Sequence, residues 1–137
     1  MKKKIIILGS TGSIGTSTLD VIRKDKKNFN VILLSANNNY RKLIKQAKEF
    51  NAKNVLINNK KFYEIVRNSL KKNKVRVFAG DISINKIVRV KIDYSMSCIV
   101  GLAGLQPTID VIKISKIVAL ANKETIICSW HILSKLI

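Results

Sequence analysis

Residues 4–15 read Lys4-Ile5-Ile6-Ile7-Leu8-Gly9-Ser10-Thr11-Gly12-Ser13-Ile14-Gly15, and this stretch decides the fold. A run of mostly β-branched apolar residues leads into three glycines spaced three apart. A helical pattern follows at once, with Ile14, Leu19, Val21 and Ile22 set among Ser, Thr and Asp. The sequence therefore predicts a strand, a tight turn and a helix start. A helix start exposes unpaired backbone N–H groups and the positive end of the dipole, which together attract anions. Glycine lets the backbone approach a phosphate that a Cβ would hold off. Ser10, Thr11 and Ser13 add hydroxyl donors.

The common dinucleotide fingerprint is G-x-G-x-x-G, whereas here the spacing is G-x-x-G-x-x-G. Two readings fit: a nucleotide-phosphate site, or an ordinary strand-to-helix turn. Position favours the first, because a second strand (Asn30 to Ser35) follows about 20 residues on. No Gly-Lys-Ser/Thr follows, so the turn is not a P-loop.

A chain of 137 residues with 47% apolar content suits one domain with a real core. No apolar run approaches the roughly 20 residues of a membrane helix. Lys2-Lys3-Lys4 resembles the basic start of a secretory signal, but Ile5 to Leu8 falls short of the ~7–15 residues of an h-region, so a cytoplasmic protein is expected. Cys98 and Cys128 are too far apart for a metal knuckle or a redox C-x-x-C, and their apolar surroundings predict buried free thiols. His131, the single histidine, lies in a helical pattern with no second ligand near it and reads as an ordinary helix residue.

The formal net charge of +18 has two explanations. Nucleic-acid binding is one. A general drift toward Lys, Asn and Ile is the other, and it also accounts for Asn37-Asn38-Asn39, Asn58-Asn59 and Ile5-Ile6-Ile7. The lysines are spread along the chain, and neither an aromatic-rich binding strand nor a basic stripe confined to one helix is present. Drift is the favoured reading, and nucleic acid is not the expected partner.

Strand and helix patterns alternate to the end. Ser13 to Lys24 reads as a helix and Phe29 to Ser35 as a strand buried on both sides. A helix with the stripe Leu43, Ile44, Ala47 and Phe50 comes next, then the strand Asn54–Ile57. Asn58 or Asn59 opens a helix with Phe62, Ile65, Val66 and Leu70 on one side, followed by a strand over Val75–Phe78 and a helix with Ile84, Ile87 and Val88. Ser95 to Val100 reads as a strand meeting Gly101 and Gly104. The helix beyond it has Pro107 in its first turn and carries Ile109, Val111 and Ile112. Ile117 to Ala121 is the last strand. The last helix opens at Asn122 to Thr125, with the stripe Ile126 or Ile127, Trp130, Leu133 and Ile137. Such alternation predicts an α/β fold with a doubly wound, mostly parallel sheet and helices on both faces.

Ligands of such sheets bind at the C-terminal ends of the strands. Three polar sets fall there: Ser10 to Ile14, Ala36 to Asn39, and Asn122 to Glu124. An NAD site asks for an Asp or Glu at the end of the second strand; Ser35, Ala36 and Asn37 stand there instead, with Arg41 and Lys42 just beyond. That favours a 2′-phosphate, hence NADPH, unless these residues are simply the cap and solvated face of the second helix. Asn122-Lys123-Glu124 has two readings of equal standing: contacts to a ribose, nicotinamide or anionic substrate, or an Asn cap with Glu in the first turn.

Gly9-Ser10-Thr11-Gly12-Ser13-Ile14-Gly15-Thr16-Ser17-Thr18-Leu19-Asp20-Val21 resembles the amino-terminal signature of the 1-deoxy-D-xylulose 5-phosphate reductoisomerase family. Gly101-Leu102-Ala103-Gly104-Leu105-Gln106-Pro107-Thr108 resembles its second glycine block, and Leu120-Ala121-Asn122-Lys123-Glu124-Thr125 its A-N-K-E block. The resemblance implies a Rossmann-like NADPH-binding domain over residues 1–137. The implied reaction is a skeletal rearrangement of 1-deoxy-D-xylulose 5-phosphate, then reduction to 2-C-methyl-D-erythritol 4-phosphate, in the non-mevalonate route to isoprenoids. It also implies a homodimer and a divalent metal, Mg2+ or Mn2+. Carried onto matching positions, Thr11, Gly12, Ser13, Ile14, Asn39, Asn122 and Glu124 would contact the cofactor, and Lys123 would face the sugar phosphate. Asn37 and Asn38 join the cofactor set by position, but they replace the family's usual Gly-Lys, so 2′-phosphate recognition is expected to be weaker or moved to Arg41. The family's acidic metal-binding block lies beyond A-N-K-E, so no metal ligand and no catalytic residue is assigned here. The expectation is a fragment, a truncated product or half of a split enzyme that binds cofactor but does not turn over substrate. A decayed remnant that folds poorly is the competing expectation.

Overall fold

The computed structural model describes residues 1–137. Twelve elements alternate along the chain: β1 (Lys3–Leu8), α1 (Ser13–Arg23), β2 (Phe29–Ala36), α2 (Tyr40–Glu49), β3 (Asn54–Ile57), α3 (Tyr63–Leu70), β4 (Arg76–Ala79), α4 (Ile84–Ile87), β5 (Ile92–Ser97), α5 (Leu105–Ile114), β6 (Ser115–Leu120) and α6 (Lys123–Leu133). The six strands form one sheet in the order β4-β3-β2-β1-β5-β6, and every pair is parallel. This is the doubly wound α/β arrangement that the alternation predicted, and the Rossmann-like fold that the family resemblance implied. No helix is long and apolar enough to cross a membrane.

β1 is central, and its residues divide by parity. Ile5 and Ile7 face α1, α2 and α3, in a core shared with Leu19, Leu43, Val55 and Val66. Ile6 and Leu8 face α4 and α5, in a second core with Leu33, Leu56, Ile84 and Val111. Burial on both faces is why β1 and β2 read as continuous apolar runs. The register against β2 shifts between Ile5 and Ile6, so Leu33 and Leu34 pair with Ile6 and Ile7.

The structure corrects several local expectations. β5 starts at Ile92 rather than Ser95, and Ile99 and Val100 belong to the loop that follows it. Asn59 caps a 3₁₀ turn (Lys60–Phe62) that leads into α3. On α5 the buried residues are Thr108, Asp110 and Val111, not Ile109 and Ile112. The reason is polar: Thr108 Oγ1 hydrogen-bonds the Ser97 hydroxyl at the end of β5 (2.6 Å). Asp110 Oδ2 accepts from the Ile84 N–H (3.0 Å) and the Ser83 hydroxyl (3.1 Å), tying α4 to α5. On α6 the buried residues are Thr125, Ser129 and Leu133. Ile127, Trp130 and Ile137, expected inside, are 77%, 51% and 81% exposed. Of the two thiols expected to be buried, Cys98 is only partly buried and Cys128 lies exposed on α6.

Candidate functional site

The chain winds from β1 outward to β4, then returns across the sheet to place β5 beside β1 on the other side. Strand order therefore reverses between β1 and β5, and such a reversal opens a crevice at the C-terminal ends of the two strands. A cleft of about 280 Å³ lies there. Gly9, Thr11 and Gly12 form one wall, Ser35 to Asn37 and Asn58 a second, and Cys98 to Val100 with Ala103 a third.

The three glycines of the opening stretch serve different ends. Gly9 has φ +77°, and a Cβ there would fall 2.8 Å from the Cys98 carbonyl oxygen. At Gly15 a Cβ would fall 2.3 Å from the Gly9 carbonyl oxygen, so this glycine lets α1 sit directly on the turn. Gly12 differs: a Cβ would meet only the Gly9 carbonyl oxygen at 3.6 Å, an ordinary contact. The protein's own packing does not require a glycine at position 12. It leaves the space above the helix start open, as a ligand approaching the backbone would require. Gly12 is the N-cap of α1, and no side chain caps that end. Ser13 and Ile14 are exposed beside it, with Thr11 half-buried.

Ser10 does not join them. It is fully buried, and its hydroxyl donates to Gln46 Oε1 (2.8 Å) while Gln46 Nε2 donates back to the Ser10 carbonyl (2.9 Å). The Ser10 N–H donates to the Ser35 carbonyl (2.8 Å), and the Gly9 N–H to the Ser35 hydroxyl (3.1 Å). Gln46 and Ser35 thus hold the turn in shape from behind. Neither role shows in the glycine spacing. Gln46 had a visible signal, a polar residue within the buried stripe of α2 between Leu43 and Ala47.

The second polar set closes the end of β2. Asn39 Oδ1 accepts from the Lys42 N–H (3.2 Å) and caps α2. Asn38 Oδ1 accepts from Asn59 Nδ2 (2.8 Å), tying this loop to the one after β3. Asn37 lines the cleft, and no lysine or arginine does. The Arg41 guanidinium lies over the Tyr40 ring (5.5 Å), which stacks on Phe62 (4.6 Å).

In the third set, Asn122 is buried and fully engaged. Its Oδ1 accepts from the Glu124 and Thr125 N–H groups, and its Nδ2 donates to the carbonyls of Ile99 and Gly101. It caps α6 and shapes the loop that forms one cleft wall. Lys123 and Glu124 are exposed, form no ion pair and do not line the cleft. The Cys98 thiol donates to the Leu8 carbonyl (3.0 Å), and burial pushes its pKa up to about 11. No group of three or more His, Cys, Asp or Glu side chains is placed to hold a metal ion, so these residues do not fit a divalent metal.

A parallel sheet that reverses beside its first strand, with an uncapped helix start behind an open glycine at the reversal, defines a Rossmann-like dinucleotide-binding domain. The comparisons narrow the class. The profile described as 1-deoxy-D-xylulose 5-phosphate reductoisomerase matches residues 5–129, and the chain belongs to that family. The reductoisomerase of Pelagibacter ubique is 53% identical over 135 residues, which are 97% of this chain and 35% of that protein. The Thermoanaerobacter sp. (strain X514) protein of the same name is 43% identical over 98% of this chain and 35% of its own length. Among solved structures, the Zymomonas mobilis reductoisomerase in complex with NADPH superposes with a TM-score of 0.93 at 34% identity. That match covers 99% of this chain and 36% of the Zymomonas chain. A reductoisomerase in complex with NADPH, fosmidomycin and magnesium matches with a TM-score of 0.88 at 28% identity, over 98% of this chain and 33% of that one. The chain spans about a third of the length of the curated relatives it matches.

Proposed function

We propose that these 137 residues bind NADPH for an enzyme that rearranges 1-deoxy-D-xylulose 5-phosphate and reduces it to 2-C-methyl-D-erythritol 4-phosphate. The observation that carries the reading is the open backbone at Gly12, where neither packing nor a cap fills the start of α1. The pyrophosphate sits on the N–H groups of that first turn, with Thr11, Ser13 and Ile14 around it. The adenosine end lies toward Asn37, Asn38 and Asn39, where the absence of a carboxylate favours a 2′-phosphate. Asn122 acts by holding the loop at Ile99 and Gly101 against the cleft. Lys123 and Glu124, at the exposed start of α6, face the sugar phosphate and the nicotinamide end of the cofactor. When bound, NADPH supplies the hydride; this chain's residues bind it, orient it and close one side of the cleft. Pairing into a homodimer belongs to the same proposal. These residues alone hold no metal, and the proposal assigns them cofactor binding without turnover.

Titration of the purified chain with NADPH and NADH, by fluorescence or calorimetry at moderate salt, tests the reading. Saturable binding with NADPH preferred is the expected outcome; no saturable binding of either sinks it. NADPH oxidation by the chain alone, with the sugar phosphate and Mg2+, would overturn the claim that it lacks turnover. A cooperative thermal melt by circular dichroism separates a folded domain from a decayed remnant.

A further inference from the structure

A second concavity, of about 580 Å³, lies apart from the cleft at the sheet reversal. It is a groove on the sheet face that carries α1. Its floor is Ile5, Tyr94 and Met96, its wall is Val21 and Ile22 of α1, and Ile117 of β6 borders the far side. Val21 is 66% exposed and Ile117 59%. The groove has a floor and one helical wall; the second wall is missing.

The winding of the sheet explains why. The strand–helix–strand connections of parallel sheets are right-handed. Moving from β1 toward β4 they place α1, α2 and α3 on one face; moving the opposite way, from β5 to β6, they place α5 on the other. α6 packs against α5 on that other side. Any further strand–helix unit added beyond β6 with the same hand falls there too. The α1 side of β6 is therefore left open and that of β5 only partly covered, where Tyr94 and Met96 pack against the α1–α3 core; a segment that has left the sheet, or a second copy, is what can cover it. The family relatives carry further polypeptide, because this chain matches about a third of their length.

We propose that this groove is the docking surface for a helix from that remaining part of the family polypeptide, lying alongside α1 over β5 and β6. Charge adds a requirement. At the rim Lys116 Nζ pairs with Asp93 (2.8 Å), and Asp93 also accepts the Lys4 N–H (2.9 Å). Lys3, on the same rim, forms no direct ion pair, and its charge adds to that of Lys116 around Asp93, which leaves the rim positive. The occupant is thus a helix with an apolar stripe at i, i+3/i+4 spacing and a carboxylate at the end that meets Lys3. The proposal rests on family membership and not on cofactor binding, which takes place at the other end of the strands.

The test compares the free chain with its fusion to the part of the Pelagibacter ubique relative that follows the matched segment. The free chain is expected to enhance the fluorescence of a dye for exposed apolar surface, and the fusion to lose most of that signal. Amides of β6 are expected to exchange at least about tenfold more slowly in the fusion. Val21→Glu and Ile117→Glu should leave the melting temperature of the free chain within about 2 °C and lower that of the fusion by several degrees. Equal shifts in both, or unchanged exchange, would overturn the proposal. Loss of dye binding through concentration-dependent dimerisation of the free chain would also overturn it, by making a second copy the occupant. Should the fusion not fold, hydrogen exchange on the intact Pelagibacter protein decides. Segments aligned with residues 18–22 and 115–118 that exchange as fast as in the free chain refute the docking helix. NADPH titration of the Ile117→Glu chain runs in parallel, so a failure of cofactor binding is read separately.

Discussion

The two halves of the sheet are finished to different degrees. From β1 to β4 the face beneath α1, α2 and α3 is sealed, and Leu19, Leu43, Val55, Val66 and Leu70 are all at most 1% exposed. Beyond β5 the molecule is less finished: the groove beside α1 is open, and α6, on the covered face, turns Ile127 and Trp130 outward. One winding produces both. β1, β2 and β3 have α1, α2 and α3 on one face and α4 and α5 on the other, whereas β5 and β6 receive helices of their own on one face only. Large uncovered apolar surface marks interaction sites, and the docking proposed above places assembly in the open half of the sheet and stability in the sealed one. The cleft at the sheet reversal, where the cofactor is proposed to bind, lies on the seam between them.

The sharpest test of that contrast is a pair of truncations. Leu43→Ala removes a fully buried side chain from the sealed half and should cost about 2–5 kcal/mol in urea denaturation. Trp130→Ala removes a larger side chain that is 51% exposed, and should stay within about 0.5 kcal/mol. A tryptophan change as costly as the leucine one would mean that α6 is already covered.

On the seam, two glycines of one turn should separate folding from binding. Gly15→Ala places a Cβ 2.3 Å from the Gly9 carbonyl oxygen, where only backbone can move, and should destabilise by about 1–3 kcal/mol or more. Gly12→Val puts its Cβ in ordinary contact with the Gly9 carbonyl oxygen (3.6 Å) and should cost only the roughly 1 kcal/mol of a poorer N-cap, while weakening NADPH binding at least about tenfold. If Gly12→Val binds normally, the pyrophosphate does not sit on this turn.

How much of this was legible in the sequence follows the same division. In the sealed half, β1, α1, β2 and β3 stand within a residue or so of where periodicity put them, because each element buries its own pattern against a neighbour close in sequence. On the open half the same reasoning misplaced the faces of α5 and α6. Periodicity identifies an apolar stripe but not what covers it, and it assumes that an apolar stripe is buried. Trp130 and Ile127 form a genuine stripe that this sheet does not bury. Thr108 and Asp110 are buried for hydrogen bonds to Ser97, Ser83 and Ile84, partners that a one-dimensional pattern cannot reveal. At the site, the glycine turn and the neutral end of β2 were readable from spacing. The division of labour between Ser10, turned inward to Gln46, and Ser13, left outside, depends on which hydroxyl meets α2.

The cysteines give a smaller effect across the same seam. Burial holds the Cys98 thiol at about 11 against an ordinary 9.0, so at pH 8 it presents about a hundredfold less thiolate. Cys128 is exposed on α6. Alkylation at pH 8 followed by mass spectrometry should label Cys128 first and Cys98 at least tenfold more slowly. NADPH should slow Cys98 further, because that residue lines the cleft. Equal labelling rates would mean that the β5 end of the cleft opens in solution.

Smallest of all is the acid response, where the two halves should behave alike. Glu49, in the sealed half, is held below its ordinary 4.5, first by the hydrogen bond from Arg23 on α1, then by the charges of Arg23 and Lys26, against an opposing effect of burial. Asp93, in the open half, is held below its ordinary 3.8, first by Lys116, then by the Lys4 N–H. A carboxylate whose folded pKa is depressed contributes stability above its unfolded pKa and loses it as pH falls through the folded value. Each contribution is therefore complete at pH 6 and fades from about pH 4.5 downward for Glu49 and from about 3.8 for Asp93. Both bridges reach solvent, so 0.5 M salt should shrink the effect. Glu49→Gln and Asp93→Asn should each flatten the melting temperature between pH 5 and 3 without lowering it at the acid end. A drop at the acid end for Asp93→Asn alone would assign its carboxyl a packing role at the groove rim. The bare half would then be less loosely built at that edge than its exposed face indicates.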